Sequence, residues 1–297
     1  MIFKGSAVAL VTPFSDNGID FETLGKLVEF HIENNTDALL VCGTTGESTT
    51  MSNEEQLAVI KYVVDKTKKR IPVIAGTGSN NTDHSIYLSQ EAERLGADAL
   101  LIITPYYNKT NQRGLKLHFE EIAKSVNLPI ILYNVPGRTS MNISPNIVAD
   151  LAKIDNIVAI KEASGNLAQV AEVCRLVPDD FAVYSGNDDS ILQLLSVGGS
   201  GVISVLANIC PQETHDLVEK FFNGDIEGSK NLQLDMKPLI DALFIEVNPI
   251  PVKTAMNLLG FKVGKLRLPL AEMDEKNLAI LKQELINRGL KIGDALC

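Results

Sequence analysis

The stretch NIVAIKEASG (156–165) runs through Ile157, Val158, Ala159 and Ile160 without a polar break, then turns to Lys161, Glu162, Ser164 and Gly165. A strand with one wet face alternates apolar and polar residues. A run with no alternation marks a strand buried on both faces, as in a parallel sheet covered by helices. Seven further runs have the same form: SAVALVTPF (6–14), DALLVCGTTG (37–46), IPVIAGTGS (71–79), ADALLIITPYYN (97–108), LPIILYNVPG (128–137), FAVYSGND (181–188) and SGVISVLAN (200–208). Each gives way to a cluster of Gly, Pro, Asn or Thr.

The gaps between runs read as helices. Phe21, Leu24, Leu27, Val28 and Ile32 fall near one face of DFETLGKLVEFHIEN. Ser52 followed by Glu55 forms a capping box at the start of the next helix, and Lys66, Lys68, Lys69 and Arg70 suit its C-terminal end. Gly96 is placed to cap the helix that starts near Asn81. Eight β–α units within roughly 210 residues predict an α/β fold of the (β/α)8 TIM-barrel type. An open doubly wound sheet is the alternative, but VTPFSDNG after the first run is no dinucleotide fingerprint. Residues 212–297 show helical patterning and no further strand run. The expected organisation is a catalytic barrel over 1–224 and a C-terminal helical region over 225–297 packed upon it.

Composition narrows the function. The chain of 297 residues carries a net charge of −10, which argues against a nucleic-acid partner. It has no apolar stretch long enough for a membrane span or a secretory signal, so a cytoplasmic protein is expected. Cys42, Cys174, Cys210 and Cys297 are widely spaced, which argues against disulfides and a zinc site. His31, His84, His118 and His215 stand singly, as helix or surface residues. No metal and no cofactor is expected.

Barrel enzymes build their sites at the C-terminal ends of the strands. The residues there are GTTGES, TPYYN, YNVPGRT, KEASG, SGNDD and GVISV, which contain no metal cluster, no carboxylate pair and no Ser-His-Asp set. They do contain Lys161. A lysine in a dry site loses hydration of its ammonium form, so its pKa falls and a neutral amine becomes available to attack a carbonyl. The competing reading is a lysine that snorkels from the barrel rim to solvent. Lys253, in PIPVKTAM, also has apolar neighbours but follows no strand run. Tyr133 ends the adjacent fifth run and can exchange protons with such an amine. Arg138 lies in the Pro-Gly turn beyond it and suits the bidentate grip of a carboxylate. Thr44 and Thr45 supply hydroxyls between Gly43 and Gly46, and Tyr106 and Tyr107 supply aromatic rings.

GTTGE, TPYYN, YNVPGRT, IKEASGN, SGNDD and GVISV, in this order and spacing, resemble the dihydrodipicolinate synthase family, from GSAVALVTPF to the helical tail. The resemblance implies a lyase of the class I, Schiff-base kind in lysine and diaminopimelate biosynthesis. In that family pyruvate forms an imine with the residue matched by Lys161, and the derived enamine attacks L-aspartate 4-semialdehyde. Tyr133, Thr44 and Tyr107 match the family's proton relay, with the Tyr107 phenol expected to come from a neighbouring subunit. Thr45 matches a contact to the pyruvate carboxylate, Arg138 a contact to the semialdehyde carboxylate, and Gly186 and Ile203 backbone positions of the pocket. A homotetramer, a dimer of dimers, is the family's usual assembly.

Feedback-sensitive members bind lysine near positions 48–56, 80, 84 and 106. Here Ser48, Thr49, Asn53, Gln56, Asn80, His84 and Tyr106 replace part of that set, with no glutamate at 84. Weak or absent inhibition by lysine is therefore expected. The nearest functional alternative is an N-acetylneuraminate lyase or a 2-keto-3-deoxy sugar acid aldolase, which would keep the lysine, the tyrosine and the glycine turn. Arg138 favours a carboxylated second substrate over a polyhydroxy chain. A non-catalytic barrel should have lost the amine or the relay. A phosphate-binding barrel should carry a basic residue near SGNDDS or VGGSGVIS, and neither has one.

Overall fold

A computed structural model of the protein describes residues 1–293. Each of the eight apolar runs supplies one barrel strand, the first starting one residue before its run: β1 (Gly5–Ala9), β2 (Ala38–Val41), β3 (Val73–Gly76), β4 (Ala99–Ile103), β5 (Ile130–Asn134), β6 (Ile157–Glu162), β7 (Ala182–Ser185) and β8 (Gly201–Ser204). All pair in parallel with their sequence neighbours, and β1 pairs with both β2 and β8, so the sheet closes into a barrel. Eight helices follow the strands in turn: α1 (Phe21–Glu33), α2 (Asn53–Thr67), α3 (Thr82–Arg94), α4 (Gln112–Lys124), α5 (Pro145–Leu151), α6 (Leu167–Leu176), α7 (Ile191–Ser196) and α8 (Pro211–Phe222). A two-stranded hairpin (Phe14–Ser15 with Gly18–Ile19) precedes α1.

The absence of alternation in the runs has a direct cause. Ala7, Ala9, Leu40, Ile131, Tyr133 and Ala159 pack inside the barrel, whereas Val8, Leu39, Ile130, Leu132 and Ile160 pack outward beneath the helices. Both faces are dry, so both parities are apolar. Phe3 stacks on Tyr184 with ring centroids 4.2 Å apart, and the Tyr184 hydroxyl donates to the Phe3 carbonyl at 2.6 Å. This pair fills the interior at the N-terminal end of the strands and leaves the opposite end for chemistry.

The helix ends follow the local rules. Ser52 and Glu55 form the expected reciprocal capping box. Helix α2 closes at Thr67, so Lys68, Lys69 and Arg70 lie just beyond its last turn and only Lys66 within it. Leu95 caps α3, and Gly96 comes next at φ +90, donating to Glu93 as a left-handed C′ residue does. All four histidines sit on helices, and His31 and His118 are buried there.

Beyond α8 the chain forms α9 (Ile226–Leu243), α10 (Ile250–Leu258) and α11 (Glu275–Asn287). These helices share the outer hydrophobic core of the barrel through Met236, Leu239, Val252, Met256 and Leu281. Cys42 and Cys210 are buried free thiols and Cys174 is a half-buried one, while Cys297 lies outside the described residues. No helix among the described residues is long and apolar enough to cross a membrane.

Candidate active site

Side-chain alternation decides where Lys161 points. Ala159 faces the barrel interior, so Lys161, two residues on, faces it too, at the strand's C-terminal end. The parallel register aligns Tyr133 of β5 with Lys161 of β6. Their side chains meet over the mouth of the barrel, with Lys161 Nζ 4.6 Å from the centre of the Tyr133 ring. Lys161 is 5% exposed and its Nζ makes no hydrogen bond to the described residues. Burial draws its pKa down to about 8; the carboxylate of Asp188 opposes the shift and the Arg138 guanidinium adds to it. At neutral pH about a tenth of such an amine is uncharged, against roughly one in three thousand for an ordinary lysine.

Tyr133 is buried as well, and burial raises its pKa, partly offset by the Arg138 charge and by a hydrogen bond with Thr44. A phenol held protonated beside an amine is a proton donor first. Gly186, at the end of β7, leaves the room that the lysine needs. A Cβ there would stand 2.7 Å from the Ala163 Cβ and 3.1 Å from Lys161 Cε.

The turn Gly43–Gly46 after β2 brings the two threonines. It is bracketed by Cys42 (φ 54) and Glu47 (φ 55), both left-handed, a strained setting that the surroundings must hold. Thr12 Oγ1 donates to the Gly46 carbonyl at 2.7 Å. Glu47, fully buried, accepts from Lys253 Nζ at 2.7 Å and from the Arg267 backbone N–H at 3.0 Å. Lys253 itself is 0% exposed on α10 and donates further to the Thr12 and Lys265 carbonyls. The rival lysine is therefore a structural cation in a closed set of acceptors.

Thr44, Thr45, Tyr133, Arg138, Lys161 and Gly186 line one small cavity of about 70 Å³ at the barrel mouth. Ile203 is not part of that lining; its side chain is fully buried in the barrel interior on β8. Tyr107 is apart from it too. Its side chain is 91% exposed on a left-handed residue with φ 68, in a loop tied down by Asn80 and Asn108. Other lining residues escaped the strand-end survey. Phe244 and Asn248 come from the C-terminal region, and Asn187 follows β7. Asn248 donates from Nδ2 to Thr45 Oγ1 at 3.0 Å, and its backbone carbonyl accepts from Arg138 Nη2 at 3.0 Å. Asp188, buried behind Lys161, accepts from the Val205 and Leu206 N–H groups.

This constellation has the parts of an amine-based carbonyl site: one unpaired buried lysine, a phenol and hydroxyl able to move protons, and a guanidinium able to hold an acid group. Known proteins resemble this chain over nearly its whole length. A family model described as the dihydrodipicolinate synthetase family matches residues 2–287. A protein of Caldicellulosiruptor bescii named 4-hydroxy-tetrahydrodipicolinate synthase is 60% identical over 98% of this chain and 99% of its own length. The crystal structure of dihydrodipicolinate synthase from Aquifex aeolicus superposes with a TM-score of 0.97 at 44% identity, covering 98% of this chain and 100% of that one. A structure described as the first monomeric dihydrodipicolinate synthase variant matches at 42% identity and a TM-score of 0.96, covering 98% of each chain. On these matches the chain belongs to the dihydrodipicolinate synthetase family.

Proposed function

We propose that this chain condenses pyruvate with L-aspartate 4-semialdehyde to give 4-hydroxy-tetrahydrodipicolinate through an imine on Lys161. The observation that carries the proposal is the buried amine without a partner, set in one cavity with Tyr133, Thr44, Thr45 and Arg138. Lys161 Nζ attacks the C2 carbonyl of pyruvate, and the resulting carbinolamine loses water once its hydroxyl is protonated. Tyr133, whose phenol burial keeps protonated, is the donor in reach. The imine acidifies the pyruvate methyl, and loss of one proton there gives the enamine. The enamine carbon bonds to the aldehyde carbon of the semialdehyde, and the new alkoxide takes up a proton. The semialdehyde's own amine then displaces Lys161 from the imine carbon, which closes the ring and frees the enzyme. One water is released in all.

Thr45 is proposed to hold the pyruvate carboxylate and Arg138 that of the semialdehyde. Gly186 and Ile203 are proposed as backbone contributors. Tyr107 lies outside the lining of its own cavity and is exposed, which suits a phenol that completes the Thr44–Tyr133 relay of a neighbouring subunit. A homo-oligomer follows from that role, and a dimer of dimers is the assembly proposed. A catalytic barrel over 1–224 with the region 225–297 packed on it, and a cytoplasmic location, belong to the same reading. The sugar acid aldolase alternative is disfavoured by Arg138, whose guanidinium lines the cavity where neutral partners for hydroxyls would be needed.

A second cavity of about 530 Å³ adjoins the site through Thr44 and Tyr133 and is lined by Ser48, Thr49, Asn53, Gln56, His84 and Tyr106. No carboxylate lines it, and the His84 ring is already within hydrogen-bond distance of Asn53 Oδ1 (2.9 Å) and Ser79 Oγ (3.3 Å). An ammonium ligand finds no charged partner there, in keeping with weak or absent lysine inhibition.

The deciding experiment is borohydride reduction in the presence of pyruvate, followed by peptide mapping and assay with the semialdehyde. A stable adduct on Lys161 and turnover of both substrates are expected. An adduct on another lysine would overturn the mechanism.

A further inference from the structure

Asn248 stands between the two groups that the proposed function assigns to the two substrate carboxylates. Its side chain is 6% exposed and lines the cavity that holds Lys161. Its Nδ2 donates to Thr45 Oγ1, and its backbone carbonyl accepts from Arg138 Nη2. Its Oδ1 is buried with no hydrogen-bond partner. A buried acceptor left empty is costly unless something fills it in the working state.

We propose that Asn248 positions both substrates: its Nδ2–H group orients the Thr45 hydroxyl toward the pyruvate carboxylate, and its Oδ1 accepts a hydrogen bond from the α-ammonium group of the semialdehyde. The first half follows from donor counting. With Thr45 Oγ1 accepting from Asn248, the hydroxyl's own proton is free, and no described residue accepts it. A carboxylate placed in the cavity receives that proton as a hydrogen bond. The second half follows from connectivity. In an α-amino acid the ammonium and the carboxylate hang from one carbon. A carboxylate gripped by Arg138 therefore brings its ammonium beside the residue against which Arg138 is docked. Asn248 is that residue, and its Oδ1 is the acceptor without a donor. The inference rests on the proposed function for the identity of the second substrate.

Asn248→Leu keeps the side chain's shape and the backbone carbonyl but removes both polar atoms. Asn248→Asp keeps an acceptor for the ammonium and removes the N–H group that orients Thr45. Three readouts separate the roles: the pyruvate concentration giving half-maximal borohydride trapping, the KM for the semialdehyde, and the inhibition constant of succinate semialdehyde, which keeps the aldehyde and carboxylate but lacks the amine.

For Asn248→Leu the semialdehyde KM should rise about 10–100-fold, the loss of a hydrogen bond to a charged group, while succinate semialdehyde binds within about threefold of its wild-type strength. Both variants should need about 3–10-fold more pyruvate for half-trapping. Asn248→Asp should hold the semialdehyde KM near or below the wild-type value. An equal loss for substrate and amine-free analogue in Asn248→Leu, or an unmoved pyruvate response in both variants, would overturn the proposal. Should Asn248→Leu fail to fold, Asn248→Asp decides: a shift confined to pyruvate supports it, and no shift or a shift in both substrates overturns it. Wild-type turnover is the reference throughout, so a wild-type enzyme inert toward the semialdehyde counts against the proposed function, whereas flat variants of an active enzyme count against the role of Asn248.

Discussion

Lys161 and Lys253 are both buried lysines at the top of the same barrel, and their surroundings have opposite effects. Lys253 Nζ is enclosed by the Glu47 carboxylate and two backbone carbonyls, with the Phe14 ring 4.5 Å away. Burial draws its pKa below the ordinary lysine value, while the charge and hydrogen bond of Glu47 push back. Lys161 has neither carboxylate nor carbonyl in hydrogen-bond reach; its close neighbour is a phenol ring, and its opposing charge, Asp188, is engaged by backbone N–H groups. Burial alone does not make a lysine a nucleophile. What matters is whether the desolvated ammonium has acceptors to hold it charged.

The contrast breaks first at Lys161→Met. Loss of the nucleophile should abolish pyruvate trapping and lower kcat/KM by at least about 10³-fold, read from steady-state turnover. Substantial residual trapping would mean that the two lysines are not distinct in kind. Tyr133→Phe comes next, expected to slow turnover by about 10²–10⁴-fold while the adduct still forms on Lys161, more slowly. Lys253→Met should act on stability, since it leaves Glu47 buried and unpaired at a cost of about 3–5 kcal/mol. Denaturant unfolding measures that cost, and adding Glu47→Gln should restore part of it. Peptide mapping of this variant should still find the adduct on Lys161.

The pH response sharpens the same comparison. Only a neutral amine attacks a carbonyl, and the Lys161 pKa is lowered to about 8, so imine formation should rise about tenfold per pH unit below that value and level off above it. Single-turnover trapping from pH 6 to 9 checks this; a rate still climbing tenfold per unit at pH 9 would indicate an ordinary, hydrated lysine. The smallest expected effect is that of L-lysine. Millimolar lysine should leave initial rates unchanged within error, and marked inhibition would show that the cavity beside His84 finds its cation partner elsewhere.

The barrel was legible because its signal is local. Both faces of every strand are covered, so eight continuous apolar runs stand out from the helical patterning between them. Tyr133, Arg138, Lys161 and the Gly43–Gly46 turn were reachable because each directly follows a run. Asn248, Glu47 and Lys253 were not reached as parts of the site. Their decisive contacts join Asn248 to Thr45 and Lys253 to Glu47, 203 and 206 residues apart in sequence, and no periodicity encodes a contact across that span. Lys253 follows no strand, and only its position against Glu47 shows what it is for. The exposure of Tyr107 is invisible to hydropathy for a similar reason, since an aromatic residue next to a proline turn reads equally as packing.

The dependence of the Gly43–Gly46 turn on Asn248, Lys253 and Arg267 also sets an order of events during synthesis. Every strand of the barrel has left the peptidyl-transferase centre while the residues that fix the strained turn are still untranslated. Until those residues are made, the turn lacks the contacts that hold it. Translation itself thus delays the onset of chemistry until the last fifth of the chain has been made.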